Sequence, residues 1–120
     1  MKEVMAIIRR NKLLDTEAGL IKLGTLGFTT ISVEGRGKQK GKEQSLSPRT
    51  FGDVRISRTQ GFVPKIMLSI IVNDTEVEKV VDKIISINHS GRTGDGKIFV
   101  CQMDESIRIR TRETGAASLI

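Results

Sequence analysis

The tripeptide Asp-Thr-Glu stands at two helix starts in this chain, at Asp15, Thr16 and Glu17 and again at Asp74, Thr75 and Glu76. Each copy follows an apolar run of strand character. Residues 3–9 (EVMAIIR) form the first such run, too short for its period alone to separate a buried strand from a helix. The helix after it reaches about Leu23, with Leu14, Ala18 and Ile21 at i, i+4 and i+7 as its apolar face and Gly24 and Gly27 as its stop. Residues 28–33 (FTTISV) are β-branched and read as a second strand, broken by Gly35 and Gly37.

The second half repeats the order. Residues 63–72 (VPKIMLSIIV) predict a strand. Val77, Val80, Val81, Ile84 and Ile85 then recur with helical spacing, and Thr75 and Glu78 have the spacing of a capping box. A glycine-rich turn over 89–97 leads into a fourth strand at 98–103, and 107–111 reads as a short extended tail. Two strand–helix–strand halves with right-handed crossovers, both helices buried against one sheet face, give an α+β class: a ferredoxin-like βαββαβ sandwich. Residues 38–61 sit between strands 2 and 3 with few apolar residues, Pro48 and no sustained period. A loop of that length inside a compact domain marks a functional, mobile element.

Charge is concentrated in the same region. Between Arg36 and Lys65 eight basic residues face two acidic ones, a local charge of +6, while the rest of the chain is neutral. That pattern points to a local encounter with something acidic. One cysteine and one histidine leave no internal disulfide and no zinc cage or Cys/His pair close in sequence. Cys101 reads as a core residue inside a strand, and His89 as the end of a helix. The longest uncharged apolar runs are far shorter than the roughly 20 residues of a membrane span. The start, with Glu3 before an apolar stretch closed by Arg9 and Arg10, lacks a secretory pattern, so a cytoplasmic protein is expected.

Residues 91–97 (GRTGDGK) satisfy the Gly-x-x-x-x-Gly-Lys part of a phosphate loop. Position 98 is Ile where magnesium requires Ser or Thr, and a strand follows where a helix is needed, so a Walker NTPase is rejected. Closely spaced glycines still allow backbone amides to converge on an anion beside Arg92 and Lys97. Arg108 and Arg110, in an extended segment, would project from one face roughly 6–7 Å apart, a spacing suited to two phosphates. A plain tight turn and a solvated, association-blocking edge strand are the bland readings of these two features.

Residues 35–41 (GRGKQKG), 62–65 (FVPK), 93–100 (TGDGKIFV) and 107–111 (IRIRT), with the opening Ala6, Ile7, Ile8 and Arg9, occur in an order that resembles the PII signal-transduction proteins over nearly the whole chain. The resemblance implies one PII-like domain over 1–120 with an effector loop at about 38–61. It also implies a homotrimer that binds ATP or ADP between subunits, with 2-oxoglutarate beside Mg-ATP. Nucleotide contacts would come from Ile7, Thr29, Gly35, Gly37, Lys38 and Gln39, with Arg92, Gly94, Asp95, Gly96, Lys97, Arg108 and Arg110 completing the cradle. Gln39, Lys40, Gly41 and Lys65 would hold 2-oxoglutarate, and Gln39 would ligate Mg2+ together with the ATP phosphates.

The departures narrow the comparison. With no tyrosine, the tyrosyl nucleotidylation of many bacterial members is excluded, Arg10 replaces a usual proline, and the loop is several residues longer than in ammonium-channel regulators. These traits are most similar to the nitrogenase-associated archaeal and anaerobic subgroup, in which a second PII-like chain takes part. The expected function is therefore an allosteric regulator of nitrogenase, with an ammonium transporter as the alternative target. An enzyme is not expected, because no activated nucleophile or usefully spaced carboxylate pair is visible. An RNA-binding module of the same fold is a distant alternative, since only Phe28, Phe51, Phe62 and Phe99 are aromatic and none forms a stacking motif.

Overall fold

A computed structural model describes residues 1–25, 27–35, 49–51, 54–56 and 63–120, the two short pieces by their backbone alone. Strand β1 (Lys2–Arg9) leads through a 3-10 turn, Arg10–Lys12, into helix α1 (Leu13–Lys22) and strand β2 (Thr29–Gly35). After the short strands β3 (Arg49–Phe51) and β4 (Val54–Ile56) come β5 (Val63–Val72), a 3-10 turn at Asp74–Glu76, α2 (Val77–Asn88) and β6 (Lys97–Gln102). The main sheet has the order β2-β5-β1-β6 with antiparallel neighbours throughout. This is the ferredoxin-like sandwich that the duplicated order predicts.

Alternation along the strands divides the sheet into two faces. On β1 the buried residues are Val4, Ala6 and Ile8, and on β5 they are Ile66, Leu68, Ile70 and Val72. With Leu20 of α1 and Val80 and Ile84 of α2 they make the core, which lies between the sheet and the helices. The opposite face carries Met5 and Ile7 of β1, Ile31 of β2, Met67 and Ile71 of β5 and Phe99 of β6, brought level by the strand register. Phe99 and Ile31 are about half exposed there.

Three local expectations are corrected. The apolar face predicted for α1 is on the wrong side: Leu14 is 78% and Ile21 52% exposed, while Thr16, Gly19 and Leu20 are buried. The 3-10 turn shifts the helix start to Leu13, and α2 comes so close that a Cβ on Gly19 would lie 2.5 Å from Ile87 Cδ1. Small and polar residues therefore make the helix contact, where Asn88 Nδ2 donates to Thr16 Oγ1 at 3.0 Å and Thr16 Oγ1 donates to Lys12 O at 2.7 Å. The capping box also does not form, because Thr75 lies inside the 3-10 turn and the residue before α2 is Glu76, with no side-chain cap.

Cys101 is exposed, since it stands on an edge strand beside Glu3 on the face opposite the helices. The loop expected over 38–61 contains the antiparallel β3–β4 pair; its remaining residues lie outside those described. Gly24 ends α1 as expected, with φ +87°.

Thr16→Val keeps the shape of the buried side chain and removes the hydroxyl that joins the two helices. It should lower stability by about 1–2 kcal/mol in chemical denaturation.

Candidate functional site

The glycine turn is locked onto the end of β1. Gly96 has φ +110°, and a Cβ there would lie 1.8 Å from the Ile7 carbonyl oxygen, so only glycine lets the turn approach β1 this closely. Lys97 then enters β6 in register with Ile7. Gly91 and Gly94 also have positive φ, at +82° and +99°.

Arg9, at the end of β1, holds the outside of the same turn: its Nη1 donates to Asp95 Oδ1 at 2.6 Å and its Nη2 to Thr93 O at 3.0 Å. Asp95 also accepts the Ser90 hydroxyl, the Ser90 amide at 2.7 Å and the Gly91 amide at 2.9 Å. The Ser90 hydrogen bonds, joined by those of Arg9 and Gly91, hold its carboxyl well below the usual carboxylate range. Asp95 is thus engaged within the turn and sets the turn's shape.

The buried Lys65, at the start of β5, reaches across to donate from Nζ to Gly94 O at 2.5 Å. Burial and the nearby Arg9 charge push its pKa down, against an opposing pull from Asp95. Gly35 is its neighbour on β2, where a Cβ would lie an ordinary 3.8 Å from Lys65 Cγ and φ is unstrained.

The fold therefore gathers Ile7, Gly35, Lys65, Gly94, Asp95, Gly96 and Lys97 at one end of the sheet, although they come from four separate stretches of sequence. Arg92 and Lys97 are exposed at the turn. Beside it, a cleft of about 240 Å3 has an apolar wall from Ile84, Ile85 and Ile98 and a polar rim that includes His89 and Lys97. An apolar wall next to cations and a glycine turn can accept a molecule with an apolar body and an anionic end. Thr29 is exposed on β2, further along the sheet. Gly37, Lys38, Gln39, Lys40 and Gly41 lie outside the described residues.

Arg108 and Arg110 do not share one face of an extended segment. Only Ile107 makes a bridge, to Thr114, and the chain turns at 109–111, with φ +63° at Arg112. Among the described residues no hydrogen bond or ion pair joins either arginine to the glycine turn. Arg9 and Ser90 shape the site through Asp95 although no motif marks either of them for that role. A cation closing an otherwise apolar strand was the one available signal for Arg9.

The architecture and this site define a ferredoxin-like domain in which the end of β1 supports a glycine turn rich in exposed cations. Residues 1–113 match the family described as nitrogen regulatory protein P-II, and the chain belongs to that family. It is 44% identical to "Nitrogen fixation nifHD1 region GlnB-like protein 2" of Methanosarcina barkeri, with 99% of each chain covered. It is 40% identical to the nifHD region GlnB-like protein 2 of Methanothermobacter marburgensis, covering 99% of this chain and 100% of that one. Similarity extends to the nitrogen regulatory protein P-II of Nostoc punctiforme, 40% identical with 94% of this chain and 95% of that one covered. Among the described residues no helix is long and apolar enough to cross a membrane.

Gly96→Ala should cost about 3 kcal/mol or more, from the clash with the Ile7 carbonyl together with positive φ. Gly24→Ala, also at positive φ but with nothing within 4 Å of its Cβ, should cost only about 1–2 kcal/mol. Denaturant unfolding of the two variants makes the comparison.

Proposed function

We propose that this chain is a non-enzymatic regulator that reads ATP or ADP together with 2-oxoglutarate and acts on nitrogenase through the segment around 38–61. The observation that carries the reading is the convergence of Gly35, Lys65 and the Gly94–Lys97 turn on the end of β1. The names of the methanogen relatives, which refer to a nitrogen-fixation region, support the choice of target.

In this reading the exposed Lys97 and Arg92, with the backbone amides of the turn, take the phosphates, and Ile7 contacts the base. Mg2+ would be held by the phosphates and Gln39. Lys65 already reaches toward the turn, and its ammonium would pair with a 2-oxoglutarate carboxylate once metal and nucleotide complete the site.

A homotrimer suits the apolar sheet face of Met5, Ile7, Ile31, Met67 and Phe99, which no layer of this chain covers among the described residues. Association would also bring Thr29, Arg108 and Arg110 of one copy to the turn of the next. A cytoplasmic setting and a second PII-like chain as companion belong to the same proposal.

In calorimetry Mg-ATP should bind, and Lys97→Ala should weaken it tenfold or more, the loss of a charge-assisted contact of about 1.5–3 kcal/mol. 2-Oxoglutarate should bind only with Mg-ATP present, and Lys65→Ala should abolish it while largely sparing ATP. Unchanged ATP affinity in Lys97→Ala would remove the cradle from this reading.

The segment's role is tested separately. Deleting residues 42–58 should leave both ligands bound and abolish capture of purified nitrogenase. Capture equal to that of the full chain would show that another surface is the effector.

A further inference from the structure

The hub of the last sixteen residues is Arg108, one of the cations assigned above to phosphate. Its Nη1 donates to Glu113 Oε2 at 3.4 Å, and its Nη2 donates to the carbonyls of Ala117 at 3.4 Å, Ser118 at 3.3 Å and Ile120. Both terminal nitrogens are engaged, and a guanidinium needs two of its N–H directions to grip a phosphate in the usual forked way. The strap that supplies those carbonyls is held at other points too. Arg108 N donates to Glu113 O at 2.9 Å and Gly115 N to Ser106 O at 3.0 Å. Ser118 Oγ lies 2.8 Å from Ser106 Oγ and donates to Gly115 O at 2.6 Å. A 3-10 turn over Gly115–Leu119 presents successive carbonyls to one side.

We infer that residues 113–120 form a latch that occupies Arg108 in the free chain, so that the strap and an anionic phosphate ligand exclude each other on this side chain. The inference rests on the nucleotide reading above and adds a regulatory step to it. Two of the four latch acceptors, the carbonyls of Ala117 and Ser118, are neutral, and the two charged ones, the Glu113 carboxylate and the terminal Ile120, are open to water that screens them. A polyphosphate carries full charges and replaces such partners with stronger ones, whereas water does not. Arg110 is exposed, with no ion pair among the described residues, and offers first contact while Arg108 is latched. Ligand binding then releases the strap, and a surface carrying Ala117, Ser118 and Leu119 changes with the nucleotide state.

The test compares the full chain, a variant lacking residues 115–120, and the milder Glu113→Gln and Ser118→Ala, each titrated with Mg-ATP in a calorimeter. Amide exchange of residues 113–120 is followed by mass spectrometry in the same proteins and in Arg108→Gln. The truncated chain should bind Mg-ATP at least fivefold more tightly, with the point variants shifted in the same direction by less. Mg-ATP should raise exchange in 113–120 of the full chain, and Arg108→Gln should raise it without ligand.

Equal or weaker ATP binding after truncation overturns the latch. So does ATP-independent exchange in the strap. If no form binds Mg-ATP, the nucleotide reading fails by itself. Arg108→Gln then decides the contact alone: unchanged exchange means that Arg108 does not hold the strap.

Discussion

The close approach of Gly96 to the Ile7 carbonyl sets the geometry on which the rest of the site depends. With 1.8 Å to any Cβ, the turn meets β1 backbone to backbone, and β6 leaves it in register with Ile7 and Lys97 opposed. Arg9 then braces the turn from outside through Asp95, whose carboxylate gathers Ser90 and Gly91 into the same frame. The outcome is a rigid glycine turn with its acid directed inward and its lysine at the surface. A carboxylate left free beside Lys97 would have repelled the anions that the surrounding cations attract.

The two helices lie on one face of the four-stranded sheet, and among the described residues no second layer covers the other face. In a chain of this size the apolar residues suffice for one core, yet β1 and β5 place Met5, Ile7, Met67 and Ile71 on the uncovered side. Both faces of these strands are apolar here, whereas a strand with one solvated face would carry polar residues at these positions. Polar pairing on this face includes Ser69 Oγ, which donates to Glu3 Oε2 at 2.6 Å. The glycine turn borders this face through Ile7, whose carbonyl meets Gly96 while its side chain lies on the open side.

Cations serve three different ends in this molecule. Arg9 is structural, tied to Asp95 and Thr93. Lys65 is buried, its charge disfavoured by desolvation and directed at a backbone carbonyl. Lys97 and Arg92 are open to solvent. Residue type alone does not separate these roles, which follow from depth and from the acceptor within reach.

The repeated strand–helix–strand order, the C-terminal ends of α1 and α2, and the glycine turn before β6 are legible in the sequence because they depend on local period and on residues a few positions apart. The P-II family is legible for the same reason: its motifs are contiguous. What the sequence misplaces depends on neighbours distant along the chain. Leu14 and Ile21 have the period of a buried face, yet Thr16 and Gly19 are the buried residues, because Asn88 and Ile87 of the other helix fit against them. Cys101 has the apolar neighbours of a core strand and lies on the open face, since inward or outward is a property of the sheet and not of the strand. Arg108 reads as one of two cations spaced along an extended segment, yet the chain turns back at 109–111 and brings Ala117, Ser118 and Ile120 onto it. Periodicity and motif spacing are carried by the order of residues, whereas facing and pairing are decided by packing between segments that no local pattern encodes.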